Sequence, residues 1–454
     1  MPTQTDTRLI GEFDIVILGG GIAGAVTGIQ LARANRSVVM LTSPRIESVY
    51  EGMSPRTEDG LRFAGCEQAL AAVGPWVDRF AHWNGERSQA NGEILVDRKA
   101  LDAGLLDDAR AAGVDVRVGR VETVSREPDG WHVVGRDGED EVVSARFLVE
   151  ARGRRAPARG GRRHGPASTA LVRRWRVPEG MPAVSAVASF ADGWCWFAHP
   201  DAPHADLQIV VDGDGLPARP DLELFYLDRV AEITEAEEWL RGAMPDGKVI
   251  ARNANIFMCH DIIGVQSIRI GDAAHGLDPL SGHGQFQAVS TALNAMAVIN
   301  TLLDRPDDGD LARRFYAERV EQTYLSQARV GRDFYRLESR WADRPFWIQR
   351  ATWPDDAEAH PRPGAAAPVV ARRPVVEDGY VVERDVVVTA DHPRGVWQID
   401  GVPLVALMRF LDQDWRPGGD LTADAAGRLS CQPKQVETAL GWLGHRGLLV
   451  ARET

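Results

Sequence analysis

Two glycine-rich stretches of this chain hold the residues whose types and spacing can do chemistry. Gly19-Gly-Gly-Ile-Ala-Gly24 stands between an apolar run, Asp14-Ile-Val-Ile-Leu18, and a segment of helical character from Ala25 to Asn35. There Gly19 permits a tight turn, Gly21 lets backbone approach a pyrophosphate, and Gly24 lets helix pack on strand. The phosphates would lie at a helix N-terminus, where free N–H groups and the dipole favour anions. The second stretch, Ile268-Arg-Ile-Gly-Asp-Ala-Ala-His-Gly-Leu-Asp-Pro-Leu-Ser-Gly-His-Gly284, leads into an apolar-periodic helix ending near Leu303. Gly282 and Gly284 open backbone N–H groups to a ligand, and the helix start beyond them can stabilise negative charge. His283, between those glycines, and Ser281 are the candidates for moving a proton; His275 is expected to shape its loop by hydrogen bonding.

These residues need elements to hold them. Ser37-Val-Val-Met-Leu41 reads as a second strand after the first helix, giving a strand–turn–helix–strand unit within about 30 residues, the setting a glycine fingerprint requires. An acidic residue should end that second strand and bind a ribose hydroxyl. Thr42 and Ser43 stand there, so Thr42 is expected to make a weaker version of the bond, with Glu47 as the alternative. In Asp192-Gly-Trp194-Cys-Trp196-Phe-Ala-His-Pro200 the two indoles share one strand face, equally suited to lining a substrate pocket or packing a sheet.

The expected fold is α/β, with a Rossmann-like cofactor domain, an inserted β-rich substrate domain and a small C-terminal winged-helix-like module. Residues 1–165 and 250–350 are assigned to the first, 166–249 to the second, 351–374 to a Pro/Ala-rich linker and 375–454 to the module. Ala183 to Phe197, Leu207 to Asp212 and Leu222 to Leu227 are read as strands of the substrate domain. A length of 454 residues suits two or three domains, and an apolar share of 44% with 26% charged residues excludes disorder and coiled coil. The net charge of −13 disfavours nucleic acid, as do 9 Lys/Arg against 12 Asp/Glu from Arg373 onward. Four scattered cysteines without a CxxC give no metal site. The polar start shows no secretory signal, and glycines punctuate the long apolar stretch from Phe13 to Ala32, so a cytoplasmic protein without a membrane span is expected.

The second stretch resembles the GD motif of the FAD-dependent monooxygenase and halogenase superfamily, which shares the p-hydroxybenzoate hydroxylase fold. The resemblance implies that Gly271 and Asp272 serve the ribityl chain, and that Pro279 to Gly284 pass beside the isoalloxazine. Val96-Asp-Arg-Lys-Ala-Leu-Asp-Ala-Gly-Leu-Leu106 is similar to the family's VxRxxLxxxL helix, placing Arg98 near the cofactor, and Phe147-Leu-Val-Glu-Ala-Arg-Gly-Arg-Arg-Ala156 to its DATGR segment. The Trp194/Trp196 segment resembles the WxWxIP signature of tryptophan halogenases, with one extra residue before the proline and no isoleucine. The lysine those halogenases need has no counterpart between Ser48 and Cys66, and the chain's lysines are Lys99, Lys248 and Lys434. Hydroxylation of an aromatic ring, through a C4a-hydroperoxyflavin with O2 as cosubstrate, is therefore the expected chemistry. A flavin halogenase or hydroxylase of a free small aromatic metabolite is the alternative, and a non-catalytic flavin-bearing regulator a further one. The whole chain looks most like the flavoprotein monooxygenases of tryptophylquinone biogenesis, in particular those serving quinohemoprotein amine dehydrogenase. That likeness implies a tryptophan side chain in a peptide or protein substrate, docked by the C-terminal module. NAD(P)H, or a flavin reductase supplying reduced flavin, would be the electron source.

Overall fold

The computed structural model describes residues 8–137, 139–362, 367–415 and 419–449. The polar start, residues 363–366 of the stretch read as a linker and the last five residues of the C-terminal module lie outside them. The first apolar run becomes β1 (Arg8–Leu18), followed by α1 (Ile22–Arg33) and β2 (Val38–Thr42), which lies parallel to β1 with Leu18 opposite Leu41. Parallel pairing requires such a crossover, and burial on both faces explains why all five residues of β2 are buried without alternation. The chain continues through β3 (Tyr50–Met53), α2 (Pro55–Ala64), α3 (Glu67–Leu70), β4 (Val73–Trp83) and β5 (Glu86–Asp97). Asp97 caps α4 (Arg98–Ala111) by accepting the Lys99 N–H at 2.8 Å. With β6 (Asp115–Val118), β7 (Arg120–Glu127), β8 (Gly130–Asp137) and β9 (Glu139–Glu150), the first sheet runs β6-β2-β1-β9-β8-β7.

A second sheet forms the roof of the site. After β10 (Arg162–His164) come β11 (Ser168–Arg176), β12 (Val184–Phe190), β13 (Gly193–His199), β14 (His204–Asp212), α5 (Leu222–Ala231), α6 (Thr234–Trp239) and β15 (Met244–Asn253). The roof order is β15-β11-β14-β13-β12-β4-β5-β3, so three of its eight strands precede residue 100. They join through a parallel pairing of β12 with β4, Ala186 opposite Phe80. A single boundary at 166 therefore does not separate the two sheets. Leu222 to Leu227, expected as a strand, lies in α5: Tyr226 and Val230, one turn apart, are buried on the sheet, and the Tyr226 hydroxyl donates to the Leu207 carbonyl at 2.9 Å. An apolar run this short fits either periodicity, and packing decides.

The chain then returns to the first sheet. Between β16 (Phe257–Cys259) and β18 (His275–Gly276), β17 (Ser267–Arg269) adds parallel to β9 with Ile268 opposite Val149, which carries the Gly271-Asp272 turn to the C-terminal edge of that sheet. α7 (Gly284–Asp304), α8 (Gly309–Arg336) and α9 (Pro345–Thr352) follow. α7 is long and apolar enough to span a membrane by length and composition, yet it packs against α1 and α8 and supplies core residues such as Ala292, Ala295 and Val298. Three antiparallel strands, β19 (Val369–Glu377), β20 (Tyr380–Thr389) and β21 (His392–Val396), open the C-terminal module. The short pair β22 (Gln398–Ile399) and β23 (Val402–Pro403) leads to α10 (Leu404–Arg409), α11 (Leu421–Leu429) and α12 (Pro433–Gly444) around a core that includes Leu404, Leu407, Val436 and Leu443.

The module is bound to the rest of the protein. β19 begins inside the stretch read as a linker, and Asp355, also within it, pairs with Arg329 of α8 through both oxygens at 2.8 Å. Val381 is buried in the main core, and its N–H donates to Thr301 Oγ1 of α7 at 2.8 Å. Thr301→Val leaves that buried N–H without its acceptor, so the expected loss of stability is about 1–3 kcal/mol. Urea unfolding should show a lower midpoint at unchanged slope.

Candidate functional site

The glycine fingerprint folds as its spacing demands. Gly19 holds φ +107°, and a Cβ on Gly24 would stand 1.9 Å from the Gly19 carbonyl oxygen, so helix and turn touch only because both lack side chains. A Cβ on Gly21, in contrast, would meet nothing within 4 Å. That open space lies at the start of α1, which has neither a side-chain cap nor an acidic residue in its first turn. These free N–H groups and the empty room beside Gly21 fit a pyrophosphate.

From this point a cavity of about 1750 Å³ extends beneath the roof, lined among others by Gly21, Arg98, Asp272, Leu280, Trp194 and Trp196. Gly282, at φ +64°, and Gly284 also line it and carry no neighbour within 4 Å of a built Cβ. The cavity continues past the start of α7, which again lacks a side-chain cap and an acidic first turn. Two uncapped helix starts therefore face one elongated space, and the room and the donors fit FAD.

Several charged groups hold the walls in place. Arg98 donates to Glu51 at 2.6 Å and to Asp102 at 2.9 Å, while Gln285 of α7 donates to the same Glu51 oxygen at 3.1 Å. Burial alone would raise the Glu51 carboxyl, but the Arg98 guanidinium keeps it below its usual value. Glu51 thus bridges α4 to α7 as an anion, and Arg98 is a cavity-lining residue held by two carboxylates. Asp272 lines the cavity and pairs with Arg154 at 3.1 Å, and Arg154 also donates to the Leu277 carbonyl at 2.8 Å. Gly271, at φ +53°, donates its N–H to Thr291 Oγ1 at 3.0 Å, fixing the turn on α7.

Thr42 is used differently from expectation. It borders the cavity but is only 6% exposed, and its hydroxyl accepts the Gly20 N–H at 3.0 Å. It buttresses the glycine turn, while Glu47 is the exposed carboxylate on that part of the wall.

His283 and Ser281 are not among the lining residues. The left-handed turn at Gly282 presents residues 280, 282 and 284 to the cavity and sends the side chains of 281 and 283 elsewhere. Ser281 Oγ is buried and donates to the Asp278 carbonyl at 2.8 Å. The His283 ring is half-buried, and burial lowers its pKa, with Arg56 and His360 adding to the effect. The structure therefore places these two candidates for proton transfer outside the cavity lining. His275 makes none of the hydrogen bonds expected of it: at 2% exposure neither ring nitrogen has a partner, and burial pushes it down to about 4.

The roof shows which groups sequence reasoning missed. In register across its strands, Arg252 lies opposite Ala170, Ala170 opposite Val210 and Val210 opposite Trp194, and all but Val210 border the cavity. The next row brings Val172, Gln208, Trp196 and Val187 to the same face. Trp194 and Trp196 thus do both things open to them: they pack the sheet and line the pocket. The Trp196 indole donates to Glu93 at 3.1 Å and to Ser185 at 3.0 Å. Glu93, Arg79 and Arg252 reach the cavity from strands whose sequence carries no motif, and only the alternation of each strand could have marked them. Asp278 also lines the cavity; it lay inside the quoted motif, and its burial beside α8 gave no local signal.

Residues 12–207 match the family model described as an FAD binding domain. Among solved structures the chain is similar to the peptidyl tryptophan dihydroxylase QhpG, essential for tryptophylquinone cofactor biogenesis. The two are 40% identical, over 96% of this chain and 100% of that one, with a TM-score of 0.81. It is also similar to tryptophan 2-halogenase of Chondromyces crocatus, 24% identical over 75% of this chain and 71% of that protein. Aurachin C monooxygenase/isomerase of Stigmatella aurantiaca is 26% identical over 68% of this chain and 85% of that protein. The geometry predicts that Gly21→Trp, whose indole would fill the open space at α1, and Asp272→Ala each remove most bound FAD. The visible flavin absorbance of the purified variants checks this, and full occupancy in both would contradict the assignment.

Proposed function

The chain belongs to the family of FAD-dependent monooxygenases that contains the peptidyl tryptophan dihydroxylase QhpG, and from that premise we propose that it hydroxylates a tryptophan side chain within a polypeptide during tryptophylquinone cofactor biogenesis. The observation that carries the reading is the 40% identity sustained over the full length of that protein, roof and C-terminal module included. When bound, FAD supplies oxygen transfer from O2 after reduction by NAD(P)H or by an external flavin reductase.

The chain's own residues do the rest. The starts of α1 and α7 hold the anionic parts of the cofactor with backbone N–H groups, and Asp272 and the Glu51–Arg98 pair fix the walls around it. Trp194, Trp196, Val172 and Val187 offer an apolar ceiling against which an aromatic ring can lie flat and dry. The cavity of about 1750 Å³ takes in the FAD site and the space beneath the roof where an aromatic ring would lie. Halogenation, named for the relative from Chondromyces crocatus, is disfavoured by the side chains present. Lys99, a cavity-lining lysine, is exposed at the start of α4, and the cations that the roof strands bring to the cavity lining are Arg79 and Arg252. The C-terminal module is read as an aid to substrate docking that raises the local concentration of the polypeptide.

Supplying reductant, O2, bromide and a tryptophan-containing protein substrate tests the reading by mass spectrometry of the modified peptide. One or two added oxygen atoms on tryptophan are expected, with no bromine. Incorporated bromine, or turnover of free tryptophan with the protein left unmodified, would overturn it.

A further inference from the structure

Between α7 and α8 lies a second space, of about 10 Å³, with room for roughly one water-sized guest. It is separate from the cofactor cavity. Gly284, Gln285 and Ala288 of α7 line the cavity, whereas Gln287, Ser290 and Asn294 of the same helix line this space. α8 closes it with Arg319 and Thr323, one turn apart, and β18 contributes His275. Among the described residues no carboxylate lines it.

Two cations meet at this place without a counter-charge. Among the described residues Arg319 forms no ion pair or hydrogen bond, and its guanidinium lies 5.7 Å from the centre of the Phe315 ring. Arg394 reaches in from β21 of the C-terminal module. Its Nη1 donates to Thr323 Oγ1 at 3.4 Å, and among the described residues it has no acidic partner either. Burial, with the Arg394 charge adding to it, brings the Arg319 pKa down to about 10. The neutral groups around the two cations are donors. Thr323 accepts from Arg394, so its own proton can turn to the space. Asn294 gives one N–H to the Ser290 carbonyl at 2.6 Å and keeps the other. His275, at 2% exposure, has a partner for neither ring nitrogen. Thr291 and Tyr316 also border the space, but their hydroxyls are committed to the carbonyls of Gln287 at 2.8 Å and Arg269 at 2.6 Å.

A water in this space would satisfy the His275 ring but leave two like charges side by side, which destabilises the fold unless an anion joins them. We propose that the space binds one small monatomic anion, chloride, held by the Arg319 guanidinium and by N–H and O–H donors of α7, α8 and His275, with Arg394 closing the site from the C-terminal module. Size selects the ion, because sulfate or phosphate exceeds room for one water-sized guest. Charge-assisted bonds from separate elements make the ion a brace between them. Thr291 borders the space and also holds the Gly271 N–H, so the brace steadies the Gly271-Asp272 turn without entering the cofactor cavity. The site is independent of the substrate and of the oxygenation chemistry.

Two measurements on the full-length holoenzyme test this. Crystals soaked in sodium bromide, with data collected at the bromine absorption edge, are expected to show an anomalous peak among Arg319, Thr323 and His275. No peak there, or one confined to the cofactor cavity, would overturn the proposal. In solution, thermal unfolding midpoints are read at one scan rate while sodium chloride replaces sodium gluconate at constant ionic strength. The midpoint should rise with the logarithm of chloride concentration once the site fills. Arg319→Gln keeps an amide donor and drops the charge, and should move the onset of that rise to about tenfold higher chloride or more. Arg394→Gln should move it in the same direction. General salt effects act equally on wild type and variants, so the comparison removes them. An unmoved onset in Arg319→Gln would overturn the site, and an unmoved onset in Arg394→Gln would remove the module from it. Sulfate and phosphate should not distinguish wild type from Arg319→Gln, and a difference as large as that with chloride would overturn the assignment to a monatomic ion. Should Arg319→Gln fail to fold, Thr323→Val must raise the onset or the proposal fails.

Discussion

The close approach of backbone to backbone at the end of β1 is the constraint from which the site follows. The Gly24 Cα sits where any side chain would strike the Gly19 carbonyl, and a Cβ on Gly19 would in turn strike the Ala151 carbonyl at the end of β9 at 2.5 Å. With no side chains in the way, the start of α1, the tip of β1 and the turn after β9 meet at one point. β17 then extends the same sheet from β9, so the Gly271-Asp272 turn reaches that point too. What looks like a cofactor motif is first a packing solution: three chain turns are crowded together at one point, and the uncapped start of α1 is left facing the cavity.

Legibility followed locality. The strand–turn–helix unit, the GD turn and the Arg98 helix were readable because each concentrates its cause within a few residues. Thr42, Ser281 and His283 were less readable because their roles depend on where a side chain turns. Thr42 spends its oxygen on Gly20, and the left-handed Gly282 directs 281 and 283 away from the cavity. The polar roof groups were silent for another reason. Glu93, Arg79 and Arg252 come from three different strands and become neighbours only when the sheet assembles.

The C-terminal module shows how composition can mislead about connection. The Pro- and Ala-rich stretch does read as a tether, but Asp355 fastens it to α8, and Val381 enters the main core beside α7. α7 therefore serves two masters, starting at the cofactor cavity and ending at the module. Its length of 21 residues, about 31 Å at 1.5 Å per residue, is a rigid link between them. Motion of the module and the shape of the cavity share that rod.

The parallel seam between β4 and β12 has a consequence for shuffling this protein with its relatives. A graft that moves residues 166–249 alone would carry β12 away from β4 and leave three roof strands, β3 to β5, in the recipient. The ladder across the seam would then pair side chains selected in two different backgrounds, in the middle of the ceiling of the site. Chimeras that respect the architecture must transplant residues 50–97 together with the later strands, so the smallest exchangeable unit of specificity is a discontinuous one. A lineage changing its substrate by recombination faces the same requirement, which favours drift by point substitution along the roof over wholesale replacement of it.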